Sequence, residues 1–223
     1  METFTEGAYA VGAFLLQGGP VIWIIGGLSV LALTIILWKL MALLRLGVWA
    51  GRAATERAIA SWQAGRDDEA ISAVTQKSSV RAQVARAAFN ALSKAEFTAE
   101  DAEKEILRVA KDRLAAARQG LKALELISTI APLLGLLGTV IGMITAFQAL
   151  QAAGARADPA TLAGGIWEAL LTTAAGMAVA IPTTMAVSYF EGVVDRLRID
   201  IEDIATRILL PRKGAARAQM AAQ

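Results

Sequence analysis

Glu168 is the only charged residue between Pro159 and Phe190. Nine residues past Pro159, it would lie about 14 Å along a helix, too deep for a short carboxylate side chain to regain the surface easily. A charge at the centre of a bilayer costs about 2.5 to 3.5 kcal/mol even on insertion scales, so such groups face a bundle interior or a water-filled cavity and often relay protons. Withdrawal from water favours the neutral form of a carboxyl, which suits reversible protonation. Thr172 follows one turn later on the same face, and Thr173 is rotated about 140° from Glu168. Hydroxyls both donate and accept, as a water or proton path requires, although a threonine in a membrane helix also bonds readily to its own backbone. The alternative for Glu168 is a protonated hydrogen-bond donor with a structural role, or a place nearer the outer interface.

Most other chemistry is excluded by what the chain lacks. It has no His and no Cys, which removes the usual general base, thiolate nucleophiles and the commonest metal ligands. Ser128 and Ser188 have no His to activate them, so an intramembrane enzyme is disfavoured, and neither a cofactor nor a metal site is expected. The net charge of +2 is too small and too mixed to form a nucleic-acid footprint.

The elements that would hold Glu168 follow from the distribution of charge. Of the 223 residues 56% are hydrophobic, and mean hydropathy is +0.50. No charge occurs from Gly7 to Trp38 or from Leu126 to Ala155, whereas Lys39 to Glu125 carries 15 basic and 11 acidic residues. This predicts an all-α integral membrane protein with three transmembrane helices, each long enough for a bilayer core of about 30 Å. The spans are residues 20–38, with Trp23 and Trp38 as interface anchors, 127–150, and 159–190, opened by Asp158 as N-cap and Pro159 at the first helical position. Residues 1–19 form an amphipathic segment or a frayed tail, without the basic region of a cleaved signal. Lys and Arg crowd the ends of the spans that border residues 39–126 and 191–223, whereas the loop 151–158 carries only Arg156. By the positive-inside rule the N-terminus and that loop face outward, and the charged segment and tail are cytoplasmic.

Residues 39–126 read as a helical domain broken at Gly65-Arg66-Asp67, Lys77-Ser78-Ser79 and Phe97-Thr98. Thr98-Ala99-Glu100-Asp101 has the pattern of a capping box, opening a helix expected to run unbroken into the second span. The third span is expected to continue inward along Val193, Val194, Leu197, Ile201, Ile204 and Ile208, with an Ala-rich disordered tail after Pro211. Small residues recur at three and four in the second span (Ala131, Gly135, Thr139, Gly142, Ala146, with Gly138 and Gly142 spaced for close packing). The third span does the same through Gly165, Ala169, Thr172 or Thr173, Gly176, Ala180 and Thr184. Such stripes let helix backbones approach within one subunit or between subunits. Because they exceed what one hairpin needs to bury, they suggest a homo-oligomer around a lumen, whose assembly Gly142→Leu would disturb.

At these residues the sequence resembles a known family. Ala131-Pro-Leu-Leu-Gly-Leu-Leu-Gly-Thr-Val-Ile-Gly-Met and Gly165-Ile-Trp-Glu-Ala-Leu-Leu-Thr-Thr-Ala-Ala-Gly-Met-Ala-Val-Ala-Ile-Pro182 resemble the two signature helices of the ExbB/TolQ/MotA proton-channel family, in its ExbB/TolQ branch. Gly18-Gly-Pro-Val-Ile-Trp is also similar. The resemblance implies an inner-membrane subunit that converts proton motive force into mechanical work, as a pentamer around a single-span ExbD/TolR-like partner and serving a TonB/TolA-like protein. It implies that Thr139, Glu168 and Thr173, with Thr172 beside them, line the proton route, and that Gly135, Gly138, Gly142, Gly176 and Pro182 serve helix packing. Trp167, Thr172 and Val187-Ser-Tyr-Phe depart from the branch pattern, which bears on lumen shape and subfamily. The competing reading is a passive oligomeric membrane scaffold with a structural Glu168.

Overall fold

The structure, a computed structural model, describes residues 19–94, 96–154 and 158–210. The amphipathic segment before Gly19 and the tail after Leu210 lie outside the described residues, so neither expectation is addressed. Seven helices are described: α1 Gly19–Arg45, α2 Arg52–Gln63, α3 Asp67–Thr75, α4 Val80–Ser93, α5 Ala99–Arg118, α6 Leu121–Ala153 and α7 Pro159–Leu209. The described residues contain no strand. The fold is all-α, and three stretches, α1, α5 with α6, and α7, are long and apolar enough to cross a membrane. Their most apolar windows are only 22%, 22% and 28% buried. Large apolar side chains such as Val30 and Met185, each 68% exposed, cover these surfaces. Such surfaces suit lipid and would be costly in water.

The chain divides into two compact units. The charged one contains Trp38–Gln119 and the described part of Tyr189–Gln223. Within it α2 packs on α3, α3 on α4 and α4 on α5. Ile59, Trp62, Val74, Phe89 and Ile106 are buried, and the rings of Trp62 and Phe89 lie 4.8 Å apart. The helix breaks fall where the sequence placed three of them: α2 ends at Gln63, α3 at Thr75 and α4 at Ser93. A fourth break, Leu46 to Gly51, was not anticipated. Gly47 and Gly51 adopt φ of +60° and +87° there, and a Cβ on either would strike Ser79, the N-cap of α4. The capping box at Thr98 is present in full, with the Asp101 amide donating to the Thr98 hydroxyl and the Thr98 amide to the Asp101 carboxylate. The Thr98 hydroxyl and amide hold the Asp101 carboxyl below the usual carboxylate range.

One expectation is overturned. The helix opened at Thr98 does not run unbroken into the second span, because α5 ends at Arg118 and α6 starts at Leu121. Gln119 (φ −55°, ψ 135°) and Gly120 (φ 84°, ψ −15°) have type II turn angles, and the positive φ at the third position explains the glycine. Lys39, 1% exposed, donates through Nζ to the carbonyl of Ala117 and, at 2.7 Å, to that of Gln119. A cation at the C-terminal end of α5 satisfies carbonyls that the ended helix leaves over.

The continuation of α7 holds as expected, with Val194, Leu197, Ile201, Ile204 and Ile208 all buried. Asp200, on the same stretch, accepts from Arg81 Nε at 2.8 Å, while Arg81 also donates through Nη1 to the carbonyl of Val48 and, at 3.4 Å, to that of Ala50. The Arg81 side chain is 10% exposed, so its deletion leaves a carboxylate and two carbonyls without their donor. Arg81→Met is therefore expected to destabilise the protein by about 3 kcal/mol or more, read as a fall in the thermal midpoint of detergent-solubilised protein. A midpoint within error of the wild type would show that the pair carries no net stability.

Candidate functional site

The apolar unit contains the described residues of Met1–Leu37 and Gly120–Ser188. Its centre is the antiparallel hairpin of α6 and the first part of α7. Asp158 opens α7 as the sequence requires, its side chain accepting from the Ala160 amide at 3.0 Å.

Small residues form the hairpin seam. A Cβ added to Gly138 would lie 2.5 Å from Thr172 Oγ1, one on Gly142 3.1 Å from the Ala169 Cβ, and one on Gly165 2.5 Å from the Ala146 Cβ. Gly135 and Gly176 sit against backbone: Thr173 Cα is 3.0 Å from the first Cβ position and the Ala131 carbonyl 2.5 Å from the second. The glycines of both stripes are therefore used inside one chain, so the stripes by themselves are no argument for an oligomer, although Thr139 is only half-buried and Thr184 is exposed. Gly142→Leu would overpack the hairpin before it reached any neighbouring subunit. Of the residues expected to pack helices, only Pro182 stays out of the seam, being exposed on α7.

The three threonines part company. Thr172 is buried and donates to the carbonyls of Ala169 and Gly135, at 2.7 and 3.3 Å. Thr173 donates to the same Gly135 carbonyl at 3.1 Å. Both hydroxyls thus tie α7 to α6. Thr139 bonds to Leu136 at 2.6 Å and lines an open groove of about 480 Å³ along α6 with Val140, Met143, Ile144, Phe147, Gln148 and Gln151. Among the described residues no hydrogen bond joins Glu168 to any of the three.

Glu168 is half-buried. Its Oε1 lies beside Gly19, the first residue of α1, close enough that a Cβ there would come within 2.9 Å. The carboxyl therefore stands level with the N-terminal end of α1 rather than with its middle, and the hairpin continues past it to Ala153 and back from Pro159. Sequence reasoning could place Glu168 along its own helix, but not against another. The described part of this unit holds few other charges, with Lys122 and Glu125 near the start of α6 and Asp158 before α7. No group of His, Cys, Asp or Glu suited to a metal occurs among the described residues.

A long apolar hairpin packed through small residues, on helices long and apolar enough to cross a bilayer, is the architecture of a membrane protein. The profile of the MotA/TolQ/ExbB proton channel family matches residues 76–203, a stretch that includes both hairpin helices and every candidate site residue named from the sequence. The chain belongs to that family and is a multi-pass membrane protein. It is 49% identical over 77 residues to a protein of Methanothermobacter thermautotrophicus named for its likeness to ExbB biopolymer transport proteins, covering 34% of this chain and 26% of that one. It is 41% identical over 83 residues to the biopolymer transport protein exbB1 of Vibrio cholerae, covering 37% and 36%. To the biopolymer transport protein ExbB of Salmonella typhimurium it is 36% identical over 87 residues, covering 39% and 35%. The matches thus span about a quarter to just over a third of those relatives' lengths.

Proposed function

We propose that this chain is the proton-channel subunit of an inner-membrane energiser, which converts proton motive force into mechanical work for an envelope system of the ExbB or TolQ type. The observation that carries the reading is Glu168, the lone charged residue of α7 before Glu191, held half-buried on a hairpin whose helices match a proton channel family. Family membership supports a channel component rather than an enzyme. Glu168 is the proton-carrying carboxyl, and Thr139 stands on the face left open for another chain. Thr172 and Thr173 act first as helix ties, and reach the proton route only through the position they give to α7.

The assembly that fits this role is a homo-oligomer, a pentamer by the family resemblance, around a single-span ExbD/TolR-like partner. A TonB/TolA-like protein would receive the work. The groove beside Thr139 supports such a contact, since its apolar wall with two glutamines suits a neighbouring membrane helix. The N-terminus and the loop after α6 face the periplasm, with the charged unit and the C-terminus in the cytoplasm, as the Lys and Arg distribution requires. Residues 20–38, 127–150 and 159–190 remain the proposed lipid-spanning parts.

The passive scaffold has one observation in its favour, that all three threonine hydroxyls are bonded to carbonyls rather than free. Purification separates the two readings. The tagged chain, co-expressed with its chromosomal neighbours, is expected to retain a single-span protein with one membrane carboxylate, and the complex in vesicles to pass protons down an imposed gradient. Retention of no such protein, together with vesicles as tight as protein-free ones, would leave the scaffold reading in place.

A further inference from the structure

The wall of the Glu168 site is formed in part by a residue outside the matched family stretch. Gly19 opens α1 with φ of +62°, the left-handed region that side chains disfavour. A Cβ built on it would lie 2.9 Å from Glu168 Oε1, and no other described atom outside its chain neighbours comes within 4 Å. The backbone angle favours glycine, and among the described residues the one group that borders the missing side chain's space is the Glu168 carboxyl oxygen, which a side chain there would displace. The position is fixed rather than frayed. Pro20 locks the next φ, and Val21, Ile22 and Ile25 are 7%, 1% and 2% exposed, so the first two turns of α1 are seated in the unit. Gly27 and Gly164 have nothing within 4 Å of an added Cβ, so tightness at Gly19 is not general to the glycines of these helices.

We propose that Gly19 is a positioning residue for Glu168: the side-chain-free start of α1 closes one side of the carboxyl's site and sets where the carboxyl can stand. α1 is then part of the proton site and not only an anchor. The proposal rests on reading Glu168 as the proton carrier. A side chain at Gly19 would push the carboxyl off this wall, changing what reaches it without touching the hairpin seam.

The chain has no Cys, so the contact can be tested in the whole protein in its membrane. Gly19→Cys with Glu168→Cys is expected to be joined by a short bifunctional thiol reagent that makes up for the shorter cysteine side chain, whereas Gly27→Cys with Glu168→Cys, about 12 Å further along α1, is not. In the otherwise native chain, Gly19→Ala is expected to change the rate at which a hydrophobic carbodiimide labels Glu168, read by mass spectrometry, well beyond the scatter of the wild type. Proton-driven work should fall as well, with unchanged membrane level, and Gly27→Ala should match the wild type in both. Absence of the cross-link, or wild-type labelling in Gly19→Ala, overturns the positioning role. If the cross-link forms but Glu168→Gln works fully, the proton reading is what fails, and the positioning role goes with it while the contact stands.

Discussion

Glu168→Gln is expected to abolish proton-driven work while the protein still inserts, assembles and keeps its partner. Glutamine has nearly the same size and can donate and accept hydrogen bonds, so it preserves packing and removes only the exchangeable acid. Around Glu168 the described unit offers no neighbouring basic side chain to balance a carboxylate, Lys122 being far along α6. A group so placed either is neutral or meets water or a partner's charge, and a proton path needs it to alternate. The loss should reach about a hundredfold in vesicle proton flux, within the range a positioned proton-transfer group contributes. Thr173→Val should be milder, since its hydroxyl is spent on the Gly135 carbonyl. Full activity of the Gln variant in a transport or envelope-integrity assay, at matched expression, would refute the assignment.

The second large effect concerns the seam. Gly176→Ala places a methyl 2.5 Å from the Ala131 carbonyl and 3.2 Å from Gly135 Cα, and both are backbone atoms that cannot rotate away. The helices must separate, which also lengthens the Thr172 and Thr173 bonds to Gly135. Overpacking of this kind costs about 1 to 3 kcal/mol. Gly164→Ala, on the same helix with open space around it, should instead gain about 0.5 to 1 kcal/mol from reduced backbone freedom. Thermal unfolding in detergent, followed by circular dichroism, should therefore move in opposite directions for two chemically identical changes. A rise for both, or no change at Gly176, would mean that the seam is looser than these distances state.

How much could be read without the structure is clear from particular residues. The three apolar stretches, the Asp158-Pro159 start, the Thr98 capping box and the inward stripe of α7 are local patterns. Each is set by the chemistry of neighbours within a turn or two, and each stands in the structure as read. Gly120 was missed because a glycine inside a helical pattern can be tolerated or can end the helix, and only the φ of +84° tells which. Lys39 read as one more interfacial cation, yet it is buried on the end of α5 through partners 78 and 80 residues away.

The small-residue stripes show the same division. Their spacing established that some helix must come close, but spacing is blind to which one, and the structure assigns the glycines of both stripes to a single hairpin. The identity of Glu168 as the chemically active candidate came from sequence alone, since isolation in an apolar stretch is a property of composition. Its surroundings did not. The wall at Gly19 and the ties from Thr172 and Thr173 join segments 37 to 149 residues apart, and no periodicity carries such information. Burial pattern and caps are short-range and leave their mark in the order of residues, whereas the neighbours of a buried side chain are chosen by how whole helices pack.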